Sequence, residues 1–335
     1  MIRFPTRGGR IIKTGIAAFL TAFICDALGW SPAFAVITAI VTIEPTVSDS
    51  IRKGFVRFPA SAIGAFYTVT FVSIFGHAPI TYALSAVFTI ATSYKLKLHD
   101  GLLVATLTAV AMVDAVQGEF LASFGVRLGA TTIGLLVSTA VNMFVLPPDY
   151  TREIDSRITR IQKNIHALLS WTGRHFTDAD PDFTETVLGL TKQTRKEIAQ
   201  AEALAHFQEK DNFHPFVSHD QENLEWQMEQ LHRLEQVVYH IENMMHTSTT
   251  HLTWTKQDRE MITESIERLI LRIQQTPFDH ETHTAEVLQL TQQLFAPTHT
   301  STFETIPPEM TLLYELIALY EQMAKCFENE HPTIS

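Results

Sequence analysis

Four charged residues set in otherwise apolar sequence are the first candidates for chemistry. Glu44 and Arg57 lie 13 residues apart, and so do Asp114 and Arg127. A carboxylate can take up and release a proton, and a guanidinium holds a carboxylate in a planar fork of two hydrogen bonds. At the centre of a membrane helix either group costs roughly 2.5–3.5 kcal/mol, so it faces the bundle interior or a wet cavity and takes a partner there. Glu44 and Asp114 therefore read as proton exchangers, and Arg57 and Arg127 as attachment points for an organic anion. Plainer roles stay open. Arg57 and Arg127 can staple the fold by pairing with acids, and Asp49, Arg52, Lys53 and Glu119 fit solvated loops.

The elements that must position these groups are six apolar runs, at residues 14–28, 33–43, 58–75, 79–94, 101–113 and 128–146. Several approach the roughly 20 residues that a spanning helix needs. Lys and Arg cluster in alternate connections. Arg3, Arg7, Arg10 and Lys13 precede the first run, Arg52, Lys53 and Arg57 follow the second, Lys95 and Lys97 the fourth, and Arg152, Arg157, Arg160 and Lys163 the sixth. Cytoplasmic loops retain positive charge. The pattern predicts six crossings of the cell membrane with both termini in the cytoplasm.

Displacing the sequence by 70 residues without gaps lays Ala35 on Ala105, Thr38 on Thr108, Ala39 on Ala109, Arg57 on Arg127 and Gly64 on Gly134. The same shift matches Glu44 with Asp114 and Asp49 with Glu119. Each copy holds three runs, and an odd number makes the repeat inverted, as in many secondary transporters. The second and fifth runs are the shortest of their halves. Residues 33–43 reach only about 17 Å across a hydrocarbon layer of about 30 Å. Either a polar-faced helix continues from Glu44 to Ser50, or the backbone breaks at Pro45, which lacks an N–H and clashes with the preceding turn. A break at membrane depth is tolerated only inside protein or beside water. Thr38, Thr42, Thr106 and Thr108 can bond back to their own helices. Gly64 and Gly134 permit close packing, and Asn142 can bridge helices.

Composition changes at Pro147-Pro148. Residues 1–150 hold 10 Lys+Arg against 7 Asp+Glu, and residues 151–335 hold 15 against 29. A membrane domain of residues 1–150 followed by a cytosolic domain of residues 151–335 is predicted. In the second half apolar residues step by three and four, as in Ile154, Ile158, Ile161, Ile165 and Leu168, in Leu231, Leu234, Val238, Ile241 and Met245, and in Leu313, Leu316, Tyr320, Met323 and Phe327. Such stripes are seams of an antiparallel helical bundle. Breaks at residues 178–182, 213–216, 247–250, 276–284 and 296–308 leave about six helices. The predicted fold is all-α throughout.

This half holds 13 of the 15 histidines. His280-Glu281-Thr282-His283 and His240-Ile241-Glu242 match no zinc spacing, so no metal is expected, and His232 and His240 fit a bundle seam or a ligand pocket. The acidic balance argues against nucleic acid, which requires basic stripes. There is no Gly-rich phosphate loop and no HExxH, so neither an ATP motor nor a zinc hydrolase is supported, and no enzyme activity is expected. Cys25 and Cys326 form no disulfide framework and read as packing residues.

RIIKTGIAAFL at residues 10–20, AVITAIVTIEPTVSDSIRKGFVR at residues 35–57 and ASAIGAF at residues 60–66 resemble the aromatic acid exporter family, related to the fusaric acid resistance proteins. The likeness is to its half-size bacterial form, with six spans and a cytosolic helical domain. The resemblance implies proton-driven efflux of small aromatic organic anions by a homodimer in the lipid bilayer. Its motif falls on Pro45, Thr46, Ser50, Arg57 and Gly64; where the family pattern often has Gln before the proline, this chain has Glu44. The expected substrate contacts are Arg57, Arg127, Thr46, Thr38 and Thr108, the proton-coupling groups Glu44 and Asp114, and the structural positions Pro45, Ser50, Gly64 and Gly134, with no cofactor and no metal. The competing expectation is a membrane sensor or scaffold whose acidic helical domain recruits a cytosolic partner.

Overall fold

The computed structural model describes residues 6–116, 120–145, 149–177, 181–210, 221–247, 254–273, 278–294 and 307–328. Expectations concerning Arg3, Glu119, Pro147, Pro148 and the breaks at residues 213–216, 248–250 and 296–306 lie outside the described residues. Among those described, the chain is all-α. The first six helices are α1 (Thr6–Ala27), α2 (Ala33–Thr42), α3 (Val47–Phe75), α4 (Pro79–Lys95), α5 (His99–Met112), with a 3-10 turn at Val113–Ala115, and α6 (Phe120–Phe144). The remaining six are α7 (Thr151–Thr177), α8 (Pro181–Lys210), α9 (Gln221–His246), α10 (Lys256–Ile273), α11 (His280–Leu294) and α12 (Pro308–Glu328). They form two compact units: the first takes the chain up to Asp149 together with the segment that begins at Phe207 at the end of α8, and the second takes the rest from Tyr150.

The first unit inverts the pattern of a water-soluble protein. Phe55 is 78% and Leu121 87% exposed, and Phe19, Phe23 and Leu136 also face outward. Thr38, Thr42, Ser50, Ser61, Thr131, Ser138 and Asn142 are buried. On α4 the buried positions are Thr81, Ser85, Thr89 and Ser93, one inward-facing hydroxyl per turn. In water this arrangement would waste apolar burial. Against lipid, which is as apolar as leucine, small and polar residues belong at helix contacts. α3 and α6 are long and apolar enough to cross a membrane.

The sequence left two courses open after residue 43, and the chain takes the break. Proline disfavours helical geometry in the residue before it; Ile43 is already extended (φ −70°, ψ 105°). Thr46 is extended too, and its hydroxyl accepts from the Asp49 N–H at 3.0 Å to cap α3. Asp49 in the first turn adds a carboxylate where the helix dipole favours one. With this start α3 begins at Val47 rather than at Phe58 and runs through Pro59, so Asp49, Arg52 and Lys53 lie on helix. α2 has 10 residues and α5 has 14, which gives lengths of about 15 and 21 Å.

Helix α3 packs on α4, α5 and α6, and α6 packs on α1, α2 and α3, while α1 meets α2 and α4 meets α5. Exchanging α1, α2, α3 for α4, α5, α6 carries this set of packed pairs onto itself, with α3–α6 unchanged. Two glycines set the closest approaches. A Cβ on Gly64 would stand 2.8 Å from the Ala105 carbonyl oxygen and 3.2 Å from the Ala109 Cβ. One on Gly134 would collide with the Ala35 carbonyl oxygen and stand 2.9 Å from the Thr38 Cβ.

In the second unit the apolar stripes form the core. Ile154, Ile158, Ile161, Ile165 and Leu168 of α7, Leu231, Leu234, Val238 and Ile241 of α9, and Leu316, Tyr320 and Met323 of α12 are buried. Helix α7 packs on α9 and α10, and α12 on α9 and α11. One polar cluster interrupts the α9–α12 seam: Glu315 accepts from the Asn243 amide at 3.0 Å and lies 2.6 Å from His240 Nδ1. His240 thus belongs to a helix seam.

Candidate functional site

The break between α2 and α3 leaves backbone groups that no helix satisfies, and the side chains of Ser50 and Asn142 take them up. Ser50 Oγ donates to the Thr42 carbonyl at 3.1 Å and faces the Glu44 N–H at 3.4 Å. Asn142 of α6 sends its amide to the Glu44 carbonyl (3.1 Å), the Thr46 carbonyl (3.1 Å) and Ser50 Oγ (3.0 Å). Its own oxygen accepts from Lys13 Nζ of α1 at 2.8 Å, which fixes which way the amide points. Ile43 is anchored beneath the break against Ala17, Ala39 and Val141. Irregular backbone is thereby held within protein, as membrane depth requires.

On this frame Glu44 faces two cations of α3. Arg57 Nη2 donates to Glu44 Oε1 at 2.7 Å and Lys53 Nζ to Oε2 at 2.9 Å. The Arg57 side chain is 8% exposed and that of Glu44 11%. Arg57 Nε donates to the Asp100 carbonyl at 3.2 Å, an approach allowed by Gly101, where a Cβ would come 3.1 Å from the Arg57 Cα. Arg57 Nη1 is buried with no hydrogen-bond partner. The cluster joins one carboxylate to two cations.

Arg127 lies elsewhere on the same interior face. It is 3% exposed, its Nη2 donates to Ser61 Oγ at 3.3 Å, and its guanidinium sits 4.7 Å over the Phe34 ring. Among the described residues it makes no ion pair, and its Nη1 has no partner. Ser61 and Thr131 hydroxyls share a hydrogen bond at 3.2 Å between the two arginines' helices. Asp114 is not brought to Arg127: it is exposed and accepts the Tyr82 hydroxyl. The Glu44–Arg57 relationship therefore has no counterpart in the other half.

The threonines are engaged locally. Thr38 donates to the Phe34 carbonyl at 2.9 Å, and Thr108 to the carbonyls of Val104 (2.6 Å) and Ala105 (3.1 Å). Thr46 is the α3 cap. Reasoning from sequence gave Lys13 only a topological role and Asn142 only a bridging one. The signal that could have found Asn142 as the centre of the site is an amide in the last turns of an apolar run, where a buried polar side chain must find partners.

A helical unit with lipid-like exterior, polar interior and a broken helix beside buried arginines defines a membrane protein of the transporter class. Residues 6–145 match the family described as aromatic acid exporter family member 1. The chain is 42% identical over 322 residues to a UPF0421 protein of Oceanobacillus iheyensis, covering 94% of this chain and 93% of that one. It is 36% identical over 338 residues to a UPF0421 protein of Bacillus cereus, covering 94% and 92%. A UPF0421 protein of Staphylococcus saprophyticus is 48% identical over 162 residues, covering 48% of this chain and 49% of that one. Residues 6–145 thus carry the aromatic acid exporter family's domain, and over nearly its whole length the chain belongs with the UPF0421 proteins.

Proposed function

We propose that this protein is a proton-coupled exporter of small aromatic organic anions, working as a homodimer in the cell membrane. Arg57 is the primary anion site. The observation that carries this assignment is its placement: a buried guanidinium at a helix break, one carboxylate shared between it and Lys53, and one nitrogen left without a partner. An unpaired buried donor on a charged group is costly, and a bound carboxylate would satisfy it. Arg127, also buried with an unpartnered nitrogen, is the second station on the way across.

Glu44 is the proton-coupling group. It shares Arg57 with the incoming anion, so binding at one is felt by the other. Asp114 is the weaker candidate, since its carboxylate engages Tyr82 on an exposed surface. Six crossings with both termini in the cytoplasm and an inverted repeat complete the assignment. They are supported by alternating Lys and Arg, by helix packing that is preserved when the two halves are exchanged, and by the half-length α2 and α5. Expression in an efflux-deficient host tests the function: tolerance to aromatic acids rises with the wild-type chain and not with Arg57→Ala at equal protein level. Unchanged tolerance to every acid tried counts against export.

A further inference from the structure

On the outward surface of the first unit, α3 and α6 leave a groove of 390 Å³ between them. Among the residues that line it are Ser50, Gly54 and Phe58 of α3 and Thr132, Leu135 and Thr139 of α6. Its lining is mostly apolar, and at one end it reaches Ser50, the residue that closes the helix break and bonds Asn142. The groove is thus continuous with the candidate site and opens to the bilayer.

Gly54 distinguishes this groove from ordinary helix packing. Gly64, Gly101, Gly129 and Gly134 are each closed by a neighbour that a Cβ would strike. A Cβ on Gly54 would meet only Leu135 Cδ2, at 3.8 Å. Nothing from this chain fills the space that a larger residue here would use.

The other half of the unit shows what fills the corresponding space. Under the 70-residue shift Ser50 corresponds to Phe120, Gly54 to Phe124, Leu135 to Ala65 and Thr139 to Val69. Phe120 and Phe124 pack on the cluster that contains Ala65, with Val69 beside them. One seam is completed by two phenyl rings of the chain itself; its counterpart lacks both. We infer that the open groove receives the aromatic ring of a small aromatic acid, which enters from the bilayer and passes Ser50 toward the break. This assignment deepens the export function and rests on it. The groove supplies a shape fitted to a ring, the flanking Phe58 supplies an aromatic neighbour, and the charged group is left for the polar interior.

The test uses the full chain in lipid nanodiscs and para-benzoylbenzoic acid, a photoreactive aromatic acid, with the labelled peptides identified by mass spectrometry. Saturable labelling is expected within α3 residues 50–58 and α6 residues 132–139, displaced by benzoate about tenfold more effectively than by cyclohexanecarboxylate. Gly54→Phe, which fills the groove, should lower this labelling about tenfold. Gly54→Ala, which adds a single methyl, should lower it less than Gly54→Phe does and show that the position tolerates substitution. Labelling elsewhere, equal displacement by the alicyclic acid or by palmitate, or loss of the dimer in Gly54→Phe would each overturn the proposal in favour of no site, an acyl-chain site or a subunit contact. Failure of the export function is a separate outcome: labelling in the groove without any protein-dependent flux. Flux that survives Gly54→Phe contradicts the groove alone.

Discussion

Ser61 and Thr131 share a hydrogen bond of 3.2 Å, and they hold the same position in two segments displaced by 70 residues. A contact between equivalent positions is what a two-fold relation between α3 and α6 produces where the helices cross. The glycine contacts agree with it. Gly64 seats against Ala105 and Ala109, Gly134 against Ala35 and Ala39, and the shift carries one set onto the other.

Equivalent close approaches predict equivalent sensitivity. Gly64→Ala and Gly134→Ala should each destabilise the first unit by about 1–3 kcal/mol, the usual cost of inserting atoms into a packed contact. Gly54→Ala should do nothing comparable. Thermal unfolding of the purified chain in detergent reads the difference, and a Gly64→Ala protein as stable as wild type would remove the packing basis of the relation.

Asn142 should matter more than its single uncharged side chain suggests. Asn142→Ala removes donors from the Glu44 and Thr46 carbonyls and from Ser50, and removes the Lys13 acceptor. Each buried group left unsatisfied costs about 1–3 kcal/mol. Asn142→Asp keeps the Lys13 contact but loses both donors, so it should fall between Ala and wild type in melting temperature.

The all-α fold and the seams of the second unit were legible in sequence because each depends on local chemistry, apolar period and composition, whereas the break at Pro45 was legible only as one of two courses. The junction of Glu44 with Arg57 was legible only as a suspicion, since 13 residues and a break separate them. The bonds of Thr38 and Thr108 to their own helices were also legible, since a threonine in an apolar helix has its own carbonyls within reach. Thr46 looked like a binding hydroxyl because nothing in the sequence alone placed the start of α3 one residue after it. Asp114 was expected to couple protons by analogy with Glu44 in the first half. Asp114 instead accepts the Tyr82 hydroxyl, and the residue that the 70-residue shift matches with Tyr82 is Ile12, which offers Glu44 no such donor.

Cys326 should be unreactive in the folded chain. It is 7% exposed, and burial pushes its thiol up to about 12, whereas the thiolate is the nucleophile. In a Cys25→Ser background, maleimide at neutral pH should modify Cys326 only after denaturation. Rapid labelling of the native chain would contradict the packing of α12.

The second unit should lose stability as pH falls below neutrality. Burial holds the His283 imidazole below its ordinary range, and burial does the same to His175. His283 Nε2 donates to the Tyr320 carbonyl at 3.0 Å, so a second proton would have to enter at the buried Nδ1. Above about pH 6.5, the ordinary imidazole value, these imidazoles are neutral in both the folded and the unfolded chain and their contribution to stability is complete. As pH falls through that value the unfolded chain takes protons that the fold resists, and stability declines. Glu202, whose carboxyl is raised by burial and by Glu235, works in the opposite sense, at the lower pH where carboxylates titrate. His283→Gln keeps a donor for Tyr320 and should flatten the decline between pH 7 and about pH 5.5; an unchanged slope would show that His283 does not contribute.

The most direct measurement is efflux of para-toluenesulfonate from proteoliposomes, because a sulfonate stays ionised and crosses lipid poorly without a carrier. Saturable, protein-dependent efflux is predicted for the wild-type chain. Losing hydrogen bonds to a charged group is worth about 1.5–3 kcal/mol, so Arg57→Ala should slow efflux about 10- to 150-fold, and Arg57→Lys, which keeps the charge without the fork, should fall between. Efflux by Arg57→Ala at the wild-type rate, with equal protein inserted, would contradict the assignment of Arg57 as the anion site.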